Sequence, residues 1–377
     1  MNNLTQYKKN DLLTIAKRYN NNKRSYLLVN PLQGKHLAVS PAKALSMMES
    51  LGEKVKKKYP ETKLVIGFAE TATAIALKVA DTISSECYCI NTTREVLPEG
   101  KDFIYFSEEH SHASSQKLCA DNLEEYIKNT ETIILLDDEL STGKTMRNLV
   151  VKLREKYPCV SEKKFVTASI LYRLNSEDKQ KMDEMGIEHI SLLDLEAEDY
   201  ESLASNFTVA EGVIAEPYVG FHAHSLRNNI PALNPRTGVK ASEYIKEWHK
   251  WNSDNIAIDK KSKILVLGTE ECMLPALILG KELEEQGHNV FSHATTRSPI
   301  GVNKDDENYP IKNGFKLKSF YDKERVTYIY NLQYYDLVIV VSDVDEITAE
   351  ARISLMNALS TVNFGDAIWV DGGKYVF

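Results

Sequence analysis

The feature that most constrains this chain is a recurring alternation. Short, almost wholly apolar runs alternate with longer segments of helical pattern. "KLVIGFA" (63–69) reads as a buried strand and is followed by the alanine-rich helical pattern "ETATAIALKVADTI". "TIILLDD" (132–138) precedes the helix "TMRNLVVKLREKY", and "KFVTASILY" (164–172) is a third buried strand. Strands without polar alternation are those covered by helices on both faces, so the pattern predicts an α/β architecture with a parallel sheet.

The alternation fades between about Ala215 and Pro235, where "AEPYVGFHAHSLRNNIPALNP" has three prolines and no clear period. An interdomain connection is expected there. Alternation resumes after the helical stretch "ASEYIKEWHKWN", with "KILVLGT" (263–269), "LPALILGKELEEQG", "NVFSHAT", "DLVIVVS" and "AIWVDGG". The expected organisation is a first domain over 1–225, a linker over 226–260 and a second, smaller α/β domain over 261–377. At 377 residues, two domains fit the usual domain size.

Composition narrows the class. The chain is 43% hydrophobic and 27% charged with a net charge of −8, which argues against broad nucleic-acid binding. Five cysteines, Cys87, Cys89, Cys119, Cys159 and Cys272, form no C-x-x-C pair, and a reducing cytoplasm is expected. The opening "MNNLTQYKKNDLLTIAKRY" is polar rather than leader-like, and runs such as "LVIVV" are too short to span a membrane.

The segment "ILLDDELSTGKTM" (134–146) ends in Gly143-Lys144-Thr145, as a triphosphate-gripping P-loop does. That motif needs a glycine five positions before Gly143, where this chain has Asp138, so the P-loop reading fails on spacing. The chemistry still suits phosphate. A buried strand ends at Asp137 and Asp138, a loop supplies Ser141, Thr142, Gly143 and Thr145, and a helix begins. First-turn N–H groups and hydroxyls make an anion site, and acids just upstream suit sugar hydroxyls. The implied ligand is a ribose 5-phosphate. An acidic strand end followed by an ordinary helix cap is the plainer alternative.

"IILLDDELSTGKT" resembles the phosphoribosyl-pyrophosphate (PRPP) loop of the type I phosphoribosyltransferases, departing from it at Lys144, where a second glycine is common. "TTRSP" (295–299) resembles the signature of the TRSP domain, which follows an orotate phosphoribosyltransferase-like domain in proteins of tellurium-resistance and stress gene neighbourhoods. "LVNPLQGKH" (28–36), "GFAETATA" (67–74), "NTTRE" (91–95), "EEHSHA" (108–113) and "GTEECM" (268–273) are similar to further blocks of that family. The resemblance spans nearly the whole chain. It implies a type I phosphoribosyltransferase fold, Rossmann-like with a mobile hood, and a C-terminal TRSP domain.

The resemblance also implies roles. Asp137 and Asp138 would hold ribose hydroxyls and, through water, Mg2+; Ser141, Thr142, Gly143, Lys144 and Thr145 would hold the 5-phosphate. Glu70, Thr71, Ala72, Thr73 and Arg94 would meet the pyrophosphate, with Mg2+ between it and Glu70. A plain capped helix, and a surface ion pair for Arg94, are the alternatives. Glu108, His110 and His112 fall where the hood closes, and a histidine there suits the leaving diphosphate; a solvated loop is the alternative. In the second domain, Glu270, Glu271, Arg297 and Ser298 follow strands, where ligands of open α/β sheets bind. Partners would be PRPP with a nitrogenous base or nucleotide, without nucleic acid or membrane, in a homodimer as is common for the fold. A non-catalytic PRPP or nucleotide sensor is the rival reading.

Overall fold

The computed structural model describes residues 6–21, 24–97, 101–106, 116–218, 224–227, 229–258, 260–344 and 347–371. The chain divides into two compact units. One gathers Met1–Lys9, Ser46–Ala197 and Leu233–Lys246; the other gathers Asn10–Leu45, Glu198–Ala232 and Glu247–Phe377. The second unit thus takes more of the chain than the C-terminal segment expected to form it, and no linear cut between 225 and 260 separates the two.

In the first unit, a six-stranded sheet among the described residues runs in the order Val239–Lys240, Tyr88–Asn91, Leu64–Gly67, Thr132–Leu140, Lys164–Tyr172, Ile187–Asp194. Only Val239–Lys240, from the expected linker, pairs antiparallel; the others are parallel. Alternate residues on both faces, Leu64, Val65, Ile66, Ile133, Ile134 and Leu135, are wholly buried, which explains the unbroken apolar runs. Helices Thr73–Ile83 and Lys144–Lys156 follow two of these strands directly. A hairpin of Phe103–Phe106 and Gln116–Cys119 lies apart from the sheet order.

Gly67 is required by close packing. A Cβ there would stand 2.4 Å from Asn91 Oδ1 and 2.5 Å from Ala76 Cβ, so it lets the following helix and the neighbouring strand close onto the strand end.

In the second unit, five parallel strands among the described residues run in the order His224–Arg227, Asp366–Val370, Leu337–Val341, Lys263–Gly268, Asn289–Ala294. The first of these arises within the segment read as an interdomain connection. The expected helix Leu274–Glu285 lies in this unit, and the expected helix Ala241–Asn255 runs along the chain across the boundary at Lys246. The unit also holds helices Tyr200–Ser205 and Ala349–Ser360 and two antiparallel pairs, Thr14–Lys17 with Tyr26–Val29 and Gly314–Lys318 with Val326–Tyr330. Their apolar residues share a small core in which Ala16, Leu27 and Val29 pack with Ile300, Tyr309, Ile311 and Tyr330. Among the described residues, no helix is long and apolar enough to cross a membrane.

Candidate functional site

Strand order locates the first site. Leu64–Gly67 connects onward to Tyr88–Asn91 on one side, while Thr132–Leu140 connects to Lys164–Tyr172 on the other. The sequence therefore reverses direction between Leu64–Gly67 and Thr132–Leu140, and the crevice outside the carboxyl ends of two such strands is where ligands of open α/β sheets bind. Both segments singled out in the sequence, 67–74 and 137–145, emerge here.

Two helix N-termini meet at this edge. The helix Thr73–Ile83 has Ala72 as its N-cap, and Lys144–Lys156 has Gly143. Neither residue has a side-chain oxygen, so neither caps its own helix; at the second helix the Lys144 N–H donates instead to Thr142 Oγ1 at 3.4 Å. Gly143 is left-handed, with φ of 65°, a conformation that costs other residues about 1 kcal/mol or more. Here the sequence motif and the backbone demand coincide.

The two loops are joined. Thr71 Oγ1 donates to Asp138 Oδ1 at 2.8 Å across the reversal point, and Asp138 N donates to Asp137 Oδ1 at 2.9 Å. Burial, reinforced by the neighbouring Asp138 carboxylate, pushes the Asp137 carboxyl well above the usual range. Thr73, with its hydroxyl 3.4 Å from the Glu70 carbonyl, and Ala72 are buried behind the loop. The Ala69–Glu70 peptide is cis.

Several residues to which the sequence reading gave no role hold this arrangement. Thr92 Oγ1 accepts from Ala69 N at 2.9 Å and donates to Gln116 Oε1, while Gln116 Nε2 donates to Ala69 O at 2.9 Å. The loop is thereby fastened to the next strand and to the hairpin. Arg147 Nη1 donates to Thr142 O at 2.7 Å and its other nitrogen pairs with Asp178 at 3.4 Å, fastening the 141–145 loop to its own helix. Ser169 stands opposite Asp137 in the sheet register, buried, and among the described residues its hydroxyl has no hydrogen-bond partner.

Of the remaining expected residues, Ser141, Thr142 and Thr145 are half-buried beside Gly143, and Lys144 is exposed as the first residue of the helix. Arg94 is half-buried two residues beyond Thr92. Glu108, His110 and His112 lie outside the described residues.

The second unit repeats the topological device. Its reversal falls between Lys263–Gly268 and Leu337–Val341, and Thr269 Oγ1 donates to Ser342 Oγ at 2.8 Å across it. The expected residues Glu270, Glu271 and Arg297 come together: Arg297 pairs with Glu270 at 2.9 Å and with Glu271 at 3.1 Å. Arg325 adds a second pair to Glu270 at 2.9 Å, and Ser319 Oγ donates to its other oxygen. Glu270 is fully buried, so the two arginines neutralise an otherwise costly charge. Ser298 stands outside this network. Its N–H donates to Thr296 Oγ1 at 3.2 Å, and its carbonyl accepts from Tyr330 OH at 2.7 Å. The expected cluster thus divides into an ion-pair network and a turn.

The fold and the paired loops define a class. Residues 12–195 match a family model described as phosphoribosyl transferase, an enzyme of the glycosyltransferase kind. Residues 234–359 match a model described as a TRSP domain C-terminal to that family; the chain belongs to the phosphoribosyl transferases that carry a TRSP domain. Similar solved structures include adenine phosphoribosyltransferase from Rhodothermus marinus, at 12% identity and TM-score 0.36, over 49% of this chain and 96% of that one. Another is adenine phosphoribosyltransferase from Giardia lamblia complexed with 9-deazaadenine, at 13% identity and TM-score 0.36, over 49% and 95%. Orotate phosphoribosyltransferase from Aeropyrum pernix matches at 15% identity and TM-score 0.30, over 46% and 80%. The assignment rests on the two family matches and not on these distant likenesses. No curated protein matches the sequence.

Proposed function

We propose that the first unit binds PRPP across the reversal point of its sheet and exchanges the pyrophosphate on ribose C1 for a nitrogenous base, or runs the reverse reaction. The observation that supports this is the Thr71–Asp138 hydrogen bond, which joins the two loops that lead into the helix N-termini at the reversal point. Ser141, Thr142, Gly143, Lys144 and Thr145 take the 5-phosphate. Asp137 and Asp138 take the ribose hydroxyls. Thr71, Ala72 and Thr73 take the pyrophosphate through backbone N–H groups and hydroxyls, with Arg94 as a further contact.

The two adjacent carboxyls are hard oxygen donors, the kind that holds Mg2+ through one or two carboxylates while substrate phosphates supply other ligands. Asp137 and Asp138, with Glu70, are the residues that would hold it. When bound, Mg2+ would screen the diphosphate and stabilise it as a leaving group. The chain itself positions both ends of the substrate. Thr92 and Gln116 fix the pyrophosphate loop, and Arg147 fixes the phosphate loop, so catalysis is mainly orientation and electrostatics.

The test mixes protein, PRPP and Mg2+ with a panel of bases and follows pyrophosphate release. One base should release it, and the double variant Asp137→Asn, Asp138→Asn should lose about 100-fold or more of that rate. If the double variant bound PRPP as tightly as the native chain, the site would be misplaced. Tight PRPP binding with no release by any base would favour a sensor.

A further inference from the structure

The second unit contains a histidine that its own fold does not satisfy. His36 is 2% exposed, and among the described residues neither ring nitrogen has a hydrogen-bond partner. A buried polar group without a partner costs about 1–3 kcal/mol, and such groups in native proteins mark an ion, a water or a ligand.

Its surroundings say which. Beside it, the fully buried Lys35 donates to the carbonyls of Glu270 at 2.9 Å and Thr295 at 3.1 Å, anchoring the 34–36 turn at the carboxyl ends of strands Lys263–Gly268 and Asn289–Ala294. Gly34 has φ of 73°, and a Cβ there would stand 3.2 Å from Val39 Cγ1, so the turn is tightly folded. Val39 pairs with Ser292 on the edge strand, and Arg18 pairs with Ile300 just beyond the Thr295–Pro299 turn. Burial foremost, and then its electrostatic neighbours Lys35, His293 and Arg18, push the His36 imidazole well below its usual range. His293 is engaged on both nitrogens, with the Tyr330 carbonyl and the Ala294 N–H, each at 2.8 Å. Glu270 and Glu271 are engaged by Arg297 and Arg325.

We propose that His36, with Lys35 and Arg18 beside it, forms an oxyanion site that takes the phosphate group of a small phosphorylated ligand. An imidazole N–H with neighbouring cations suits a phosphate oxygen, and the rim of a parallel sheet is where such ligands enter. Phosphorylated metabolites are what a phosphoribosyl transfer consumes and makes; only this choice of source rests on the proposed function.

The test uses the full chain carrying 13C-labelled histidine, titrated with inorganic phosphate and, separately, with acetate. The His36 signal is the one lost in His36→Gln. Phosphate should shift that signal saturably, and His36→Phe, which keeps a ring but has no N–H, should weaken binding at this site about tenfold, the loss of one charge-assisted hydrogen bond. Selenate soaked into crystals of the native chain provides a second readout that needs no variant: an anomalous peak within hydrogen-bond reach of the ring is expected. An unmoved signal with only water against the ring would overturn the proposal. A response to acetate but not to phosphate would overturn the phosphate assignment. Pyrophosphate release reads the first unit separately, so failure here leaves that assay interpretable.

Discussion

Asp137 is the residue whose chemistry is most altered by its position. Its carboxyl is raised by burial and by Asp138, so the folded protein retains a proton that the unfolded chain releases at lower pH. The ligand-free fold therefore loses stability as pH rises from the unfolded carboxylate value, about 3.9, toward the raised folded value. Asp137→Asn, which cannot ionise, should resist denaturant better than the native chain at pH 8, and the difference should vanish near pH 4. Denaturation at the two pH values measures it, and an equal difference at both would contradict the argument. Asp137, Asp138 and Gly143 were legible in the sequence because the motif is local. Ser169 was not, because it reaches Asp137 only through sheet register.

At the scale of elements, the two loops at the sheet reversal are held by side chains outside them. Arg147 holds the Thr142 carbonyl from one turn along the helix and is itself held by Asp178. Arg147→Met removes that tether while keeping most of the apolar stem. It should raise KM for PRPP about tenfold, with a stability loss of about 1–2 kcal/mol. Steady-state kinetics beside a denaturation curve separates the two effects, and an unchanged KM would show that the loop holds its shape without the arginine. The strands themselves were readable from their unbroken apolar runs. The Thr92–Gln116–Ala69 contacts were not, since Gln116 lies 47 residues from Ala69 and carries no motif. The strand His224–Arg227 was hidden among prolines and turn residues, where only pairing with Asp366–Val370 gives it form.

At the scale of the whole molecule, the two units interleave along the chain. Residues 10–45 supply the second unit with the strands Thr14–Lys17 and Tyr26–Val29 and with the buried Lys35. A fragment of residues 261–377 should therefore fail to fold alone, which far-UV circular dichroism and the cooperativity of its melting would show; a sharp melt would mean that the N-terminal segment is dispensable. Periodicity could not reveal this membership, because a short strand reads the same whichever core receives it. The interleaving also imposes an order on synthesis. The first unit has all its residues once the ribosome has passed Lys246. The second must leave Asn10–Leu45 waiting until the last strand, Asp366–Val370, has emerged. For most of translation the apolar residues Ala16, Leu27 and Val29 therefore lack their partners around Tyr309 and Tyr330, and their core can close only when the chain is nearly complete.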